Sequence, residues 1–118
     1  MSHNAALGKY GEDLATSHLR SQGMAILARN WRCDIGEIDI VARDGDVLVV
    51  CEVKTRSRTD YGTPFDAISA SKADRLLRLA ASWVRANQLP FVEIRIDVVG
   101  IVGTGRQAVL QHIRGAVG

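Results

Sequence analysis

The hydrophobic positions along the chain change from a helical to a strand-like period and back. In residues 5–22, Leu7, Tyr10 and Leu14 recur at intervals of three or four residues, which predicts a helix that ends at Gly23. A similar stripe predicts a second helix at about 71–87, with Ser71 and Asp74 as its capping box. The apolar positions of this second helix are Leu76, Leu79, Ala80 and Trp83.

Between and after the helices, the pattern shortens to the alternation that is typical of strands. The predicted strands are 24–33, 37–43, 46–56, 91–102 and 107–113. Asp44-Gly45 is a hairpin signal between the second and third strands, and the Gly- and Pro-containing segment 57–66 predicts a loop. The resulting order, α-β-β-β-α-β-β, predicts an α/β fold with a central mixed sheet flanked by helices, in one domain over residues 1–118.

The predicted hairpin arranges the polar side chains of its two strands. If Asp44-Gly45 is a two-residue loop, Arg43 pairs with Asp46, and alternation places two sets of side chains on opposite faces. The polar set is Glu37, Asp39, Glu52 and Lys54. The apolar set is Ile38, Ile40, Val49, Cys51 and Val53. A longer loop of the same parity would keep this division, whereas a bulge would alter it.

Three carboxylates and a lysine on neighbouring strands are difficult to explain by packing, because like charges across a strand pair repel. Burying carboxylates is costly unless a cation or hydrogen bonds compensate them, and a hard divalent cation binds oxygen ligands. Glu12, which shares a helical stripe with small and apolar residues, could reach the same cation. The alternative is a surface ladder of ion pairs, and the spacing alone leaves both interpretations open.

Composition and charge narrow the class of protein. The 118 residues are 47% hydrophobic and 24% charged, a balance that is typical of ordinary globular domains and disfavours disorder. No apolar run reaches the length of a membrane span and Met1–Tyr10 lacks a secretory pattern, so we expect a cytoplasmic protein that does not enter the membrane. Cys33 and Cys51 are expected to be ordinary buried thiols, and the three histidines show no ligand spacing.

The net charge of +2 says little, but its distribution is uneven. Residues 54–85 hold seven basic side chains against three acidic ones, which favours contact with phosphates. The basic side chains that we consider candidates for nucleic-acid binding are Arg56, Arg58, Lys72, Arg75 and Arg78. A solvated helix face is the alternative interpretation of the same charges.

Three blocks of the sequence resemble the signature blocks of the YraN-like family. They are Gly11-Glu12-Asp13-Leu14-Ala15, Gly36-Glu37-Ile38-Asp39-Ile40 and Glu52-Val53-Lys54-Thr55-Arg56. The segments Tyr61-Gly62-Thr63-Pro64 and Lys72-Ala73-Asp74-Arg75-Leu76 also resemble that family, so the likeness runs from about residue 8 to residue 100. The ordered spacing of several blocks makes the resemblance specific.

That family is similar to archaeal Holliday-junction resolvases and, by resemblance, to the PD-(D/E)xK nucleases. The resemblance implies a restriction-endonuclease-like fold, with Asp39 and Glu52 as ligands of Mg²⁺ or Mn²⁺ and Lys54 as the catalytic lysine. Glu12 would match the acid on the first helix of the resolvases, whereas Ile38 stands where the superfamily pattern has proline. Because resolvases act as dimers, the resemblance also implies a homodimer.

Three functions follow as hypotheses from the sequence. The first is a metal-dependent endonuclease that acts on DNA, including branched or flapped DNA. The second is a nucleic-acid-binding module without turnover, and the third is a protein-interaction domain that needs no nucleic acid. Fold membership alone does not decide among them.

Overall fold

The computed structural model describes residues 3–56, 68–90, 93–103 and 105–116. Its elements are α1 (His3–Ser21), β1 (Ala25–Cys33), β2 (Gly36–Asp44), β3 (Val47–Arg56), α2 (Ala70–Asn87), β4 (Glu93–Val102) and β5 (Val109–Ile113), with a short 3₁₀ turn at Gly105–Gln107. The predicted order of helices and strands is therefore confirmed. The predicted loop at 57–66 lies outside the described residues. No helix in the described ranges is long and apolar enough to cross a membrane.

The five strands form one mixed sheet in the order β1-β2-β3-β4-β5. β3 and β4 run parallel, and every other neighbouring pair is antiparallel. The parallel pair is joined through α2, as a parallel connection requires a crossover. β3 and β4 lie at the centre and carry continuous apolar runs, as expected for strands that are covered on both faces.

Each face of the sheet has its own hydrophobic cluster. The cluster beside α1 contains Ala15, Leu19, Ile40, Ala42, Val49, Cys51, Val99 and Ile101. The cluster beside α2 contains Ile38, Val41, Leu48, Val50, Leu76, Leu79, Trp83, Ile96 and Val98. Successive residues of β3 alternate between the two clusters, so the period of two in the sequence determines which side chain meets which helix. Cys51 is buried, as predicted, whereas Cys33 is only partly buried.

The hairpin between β2 and β3 differs from its prediction by two residues. Asp44 pairs with Val47 and Ile40 pairs with Cys51, so the loop is Gly45-Asp46 rather than Asp44-Gly45. Gly45 has a φ of 61°, a left-handed conformation that glycine adopts without the steric penalty of a side chain. Because the shift preserves parity, the faces assigned to Ile40, Val49, Cys51 and Val53 are confirmed.

Near Asp39, strict alternation breaks down. Ile38 belongs to the α2-side cluster, although Ile40 belongs to the α1-side cluster, so the predicted face of Ile38 is wrong. The physical reason is an irregularity in the neighbouring strand, where Asn30 has a φ of 51°. The pairs of β1 and β2 flank this point without including Asn30 or Asp39. The register of the two strands is the same on either side of Asn30, and their β-bulge lies between Ile26 and Ala28. The change of face at Asp39 is therefore a local distortion of the ladder and not a bulge.

Helix α2 begins two residues before the predicted cap. Ser69 is the N-cap, and its hydroxyl accepts a hydrogen bond from the backbone N–H of Lys72 at 3.3 Å. The predicted capping box of Ser71 and Asp74 is therefore wrong, because Ser71 already lies in the first turn. Asp74 is exposed and pairs with Arg78 instead.

Candidate acidic site

Asp39 lies where β2 separates from β3. The paired residues of the two strands end at Ile40 and Cys51, and the next backbone N–H available on β3, that of Val53, donates to Asp39 Oδ2 at 2.8 Å. A carboxylate side chain thus takes the position that a carbonyl of β2 would hold in a regular ladder. We call this opening, bounded by Asp39 and by Glu52 and Val53, the fork.

The charge of Asp39 is poorly compensated. Burial raises the pKa of this carboxyl to about 6, although the hydrogen bond from Val53 opposes the shift. The nearby charges of Glu12, Glu52 and Glu37 raise the pKa further. These three acids are therefore within electrostatic range of Asp39, and a cation placed among them would reverse the shift.

Glu52 approaches the fork from the α2 side of the sheet. It alternates with Cys51 and Val53, which pack on the α1 side, and its Oε1 contacts Lys72 Nζ of α2. Glu52 Oε2 is buried and has no hydrogen-bond partner among the described residues. A buried carboxylate oxygen without a partner is costly, so this atom is unfavourable for the stability of the fold.

Glu12 approaches from the opposite side, on α1. Its Oε1 lies 4.0 Å from Arg29 Nη2, and the same guanidinium donates to Asp13 Oδ1 at 2.8 Å. α1 comes close to β3 beside Glu12, because a Cβ added at Gly11 would lie 3.0 Å from Thr55 Cβ. This close approach explains the glycine at position 11; at Gly8 a Cβ would meet nothing within 4 Å.

An open cleft of about 720 Å³ borders Asp39 on the α1 side. The charged side chains that line it are Lys9, Glu12, Arg29, Arg32, Glu37 and Asp39. Glu37 is paired with Arg32 at 3.4 Å on the rim. The prediction that all the polar residues of the hairpin share one face is therefore wrong: Glu37 and Asp39 line the α1-side cleft, whereas Glu52 contacts α2.

The arrangement meets some requirements of a metal site and not others. Among the described residues, no three acidic, histidine or cysteine side chains converge closely enough to hold a metal ion. Asp39 and Glu52 supply carboxylate oxygens, the donors that a hard cation prefers, but Asp39 lines the α1-side cleft and Glu52 contacts α2. Lys54 lies on β3 two residues after Glu52, partly buried and opposite Gly100 of β4.

The predicted phosphate-binding residues are divided between two situations. Arg56 ends β3 and is exposed, as is Arg75 on α2, whereas Arg58 lies outside the described residues. Lys72 pairs with Glu52, and Arg78 pairs with Asp74 at 3.3 Å. Two of the predicted phosphate-binding residues therefore form ion pairs with carboxylates. The count of charges along the sequence does not show such pairing.

Several residues of the cleft were not predicted from the sequence, and two of them lie beside the predicted acids. Arg29 is the cation nearest to Glu12, and Asn30 adopts the left-handed conformation opposite Asp39. Asparagine tolerates that conformation better than most residues, so Asn30 within a predicted strand was the available signal for the local distortion beside Asp39. No local signal exists for Arg29, because its partners lie 16 and 17 residues earlier on α1.

A second buried acid lies on β4, where Asp97 is paired with Cys51 of β3. Asp97 is completely buried, and Arg95 donates to both of its oxygens, at 2.8 and 3.0 Å. His112 Nε2 lies 2.8 Å from Asp97 Oδ2, and the backbone N–H of Gly115 donates to Oδ1 at 3.2 Å. His112 Nδ1 in turn lies 3.1 Å from His18 Nε2 of α1. The sequence analysis assigned no role to these histidines; the structure places them in a polar network.

The fold and the fork define an α/β domain whose mixed sheet opens beside a group of carboxylates. The model of the uncharacterised protein family UPF0102 matches residues 11–101, and the chain belongs to this family, the YraN-like one. A UPF0102 protein of Nocardioides sp. is 59% identical over 93% of this chain and 90% of its own length. A UPF0102 protein of Streptomyces griseus is 53% identical over 98% of both chains. The predicted family membership is confirmed.

Proposed function

We propose that the protein is a divalent-cation-dependent endonuclease that hydrolyses phosphodiester bonds of DNA, with its active site at the fork. In this proposal the sheet and helices are a restriction-endonuclease-like fold of the PD-(D/E)xK type. The observation that carries the proposal is the uncompensated negative charge at Asp39, whose pKa is raised to about 6 beside three other acids. Strongly perturbed acids in a cleft are typical of functional sites.

In this proposal Asp39, Glu52 and Glu12 would hold Mg²⁺ or Mn²⁺; because Asp39 and Glu12 line the α1-side cleft and Glu52 contacts α2, their side chains would have to turn towards one another at the fork. When bound, such an ion polarises a phosphate oxygen and lowers the pKa of water. The chain's own contribution is positioning: Val53 fixes one oxygen of Asp39, and α1 carries Glu12 to the opposite side of the fork. Lys54 supplies a positive charge that stabilises the negative charge developing on the phosphate.

The exposed basic residues around the fork suit the DNA backbone. Arg56 follows Lys54 at the end of β3, and Arg75 is exposed on α2. We propose that these two residues contact phosphates directly and that Arg58 and Arg78 contribute to the same surface. Such contacts predict that log K for DNA binding falls linearly with log salt concentration.

The test of the enzyme proposal is cleavage of junction, flap and linear DNA with added Mg²⁺ or Mn²⁺. We expect products from the wild type and from Asp74→Asn, an exposed acid that serves as the matched control, and none from Asp39→Asn or Glu52→Gln. Identical behaviour of the wild type and Glu52→Gln on every substrate would contradict the enzyme proposal. Salt-sensitive DNA binding without products would favour a binding module instead.

The resemblance to junction resolvases leads us to propose a homodimer as well. A dimer would present two forks to one branched DNA molecule. Light scattering with and without junction DNA measures the mass directly. A monomeric mass under both conditions would contradict the dimer without affecting the proposed chemistry of a single fork.

A further inference from the structure

We propose that His18 and His112 form a pH-sensitive latch between α1 and β5, which is closed while a hydrogen bond joins the two rings and opens when both rings become cationic. Mild acidification would then loosen the attachment of α1 to the sheet. The inference is separate from the chemistry proposed for the fork, and neither depends on the other. It gives a role to two histidines that show no ligand spacing in the sequence.

The two rings meet edge to face and are joined to a buried carboxylate. His18 Nε2 lies 3.1 Å from His112 Nδ1, and the ring centroids are 5.0 Å apart with an angle of 84° between the ring planes. On the other side of its ring, His112 Nε2 lies 2.8 Å from Asp97 Oδ2. A continuous chain of polar contacts therefore connects α1 to β5 and β5 to β4.

These contacts determine which ring nitrogens carry protons. The carboxylate of Asp97 accepts hydrogen bonds, so His112 Nε2 donates to it. A neutral His112 then has its unprotonated nitrogen at Nδ1, and His18 Nε2 must donate to that nitrogen. One added proton can bind at His18 Nδ1, because that atom takes no part in the bond between the rings. A second added proton would place an N–H on both of the facing nitrogens, so the hydrogen bond would be lost and the two cations would repel.

The charges around the histidine pair do not compensate an added proton. Among the described residues, the network contains two carboxylates and two guanidiniums, because Arg95 pairs with Asp97 and with Asp44, and Arg114 also pairs with Asp44. These four charges cancel. Cys51, the residue opposite Asp97 on β3, stays a neutral thiol because burial raises its pKa. Each proton that the histidines take up therefore adds a net positive charge to the network.

The surroundings of His18 favour its neutral form. His18 lies in the last turn of α1, where the helix dipole favours a cation. Burial nevertheless lowers the pKa of His18, and the charges of His112 and Arg114 lower it further. An exposed histidine has a pKa of about 6.5, so the closed latch binds fewer protons than the open one below that pH. The contribution of the latch is therefore complete above about pH 6.5 and is lost as the pH falls below it.

Nuclear magnetic resonance of the imidazole nitrogens tests the latch in the wild-type chain, without any substitution. At about pH 8 we expect both rings to carry their proton at Nε2 and none at Nδ1. On acidification, we expect the pair to take up its two protons in separate steps, because the first proton hinders the second. Independent titration of the two rings, or a proton at His112 Nδ1 at about pH 8, would overturn the inference.

Amide hydrogen exchange measures the opening of α1 itself. After correction for the intrinsic exchange rate, we expect the protection of the last two turns of α1 to fall roughly tenfold from about pH 7.5 to about pH 5.5, because the open latch takes up about one more proton. His18→Gln cannot titrate, and its amide can donate to or accept from His112, so this pH dependence should be lost. Arg20→Gln removes an exposed charge from the same turn and should behave as the wild type. Equal pH dependence in the wild type and His18→Gln would overturn the inference.

Discussion

Asp39 and Asp97 are both enclosed by the same sheet, yet their surroundings have opposite effects. Asp97 is the more deeply buried, but hydrogen bonds from Arg95, His112 and Gly115 outweigh its desolvation and lower its pKa. Asp39 receives one backbone hydrogen bond, and desolvation with three nearby acids raises its pKa to about 6. Burial alone therefore does not determine the direction in which the pKa of a carboxylate shifts. The hydrogen-bond and ion-pair partners of the carboxylate decide it.

The comparison separates a structural acid from a candidate functional one. The network of Asp97 connects β4, β5 and α1 through His112 and His18, and Arg95 extends it to Asp44 at the end of β2. Each oxygen of Asp97 accepts two of these bonds, which leaves little reason to bind an added cation. The fork has the opposite balance, because negative charge accumulates there with fewer compensating groups.

The largest effect is expected for Asp97→Asn. The substitution leaves the guanidinium of Arg95 without its buried partner, and breaking such a pair costs about 3–5 kcal/mol of the free energy of unfolding. Urea unfolding at pH 7 measures this loss. Because the pKa of Asp97 is lowered in the folded protein, its contribution is present above the ordinary pKa and is lost as the pH falls below it. A loss below about 1 kcal/mol would show that the network is not structural.

Gly11→Ala tests the close approach that places α1 beside the fork. The added methyl group would collide with the side chain of Thr55, so we expect the free energy of unfolding to fall by about 1–3 kcal/mol. The matched variant Gly8→Ala meets nothing within 4 Å and should stabilise α1 by about 0.5–1 kcal/mol. Thermal unfolding of both variants checks the difference. Equal effects would contradict the packing of α1 against β3.

Asp39→Asn is expected to act in the direction opposite to Asp97→Asn. Asparagine can still accept the hydrogen bond from Val53 while removing a charge that the fork compensates poorly, so we expect stabilisation by about 1–2 kcal/mol at pH 8. A raised folded pKa makes the wild type lose stability as the pH rises from about 4 to about 6. Unfolding curves across this range should show that the decline is reduced in Asp39→Asn. Destabilisation at pH 8 would contradict the unbalanced charge.

Asp74→Asn is the control for the substitutions of the two buried acids, because it removes an exposed carboxylate. Asp74 is 72% exposed in its side chain and pairs with Arg78 one helical turn away. Such exposed pairs contribute under about 0.5 kcal/mol, so the free energy of unfolding should hardly change. Urea unfolding under the conditions used for Asp97→Asn makes the comparison direct. A larger change would mean that surface charges of α2 affect stability more than their exposure suggests.

The periodic parts of the fold could be predicted from the sequence because their signals are local. The alternation along β3 and the apolar stripe of α2 correctly identified both elements and most of their buried positions. The predicted hairpin loop was one residue too early, which shifts the strand pairing by two residues. A shift of two residues keeps each side chain on its face, so the faces of Ile40 and Cys51 were predicted correctly. Where the ladder is distorted beside Asp39, the predicted faces were wrong.

The contacts that define the two acidic regions could not be predicted in the same way. Glu52 and Lys72 are 20 residues apart and meet where α2 packs on the sheet, and His18 and His112 are separated by 94 residues. The left-handed conformation of Asn30 depends on one tolerant residue and the packing around it. Such contacts arise from tertiary structure. They cannot be predicted from a count of charges or from the spacing of residues along the chain.

The most direct test of the proposed cation site is Mn²⁺ binding by calorimetry to the wild type, Asp39→Asn and Asp74→Asn. The fork requires the carboxylate at position 39, so we predict a saturable site in the wild type and in Asp74→Asn that is lost in Asp39→Asn. Equal Mn²⁺ binding by the wild type and Asp39→Asn, or no saturable binding by any of the three, would contradict the assignment of the fork as a cation site.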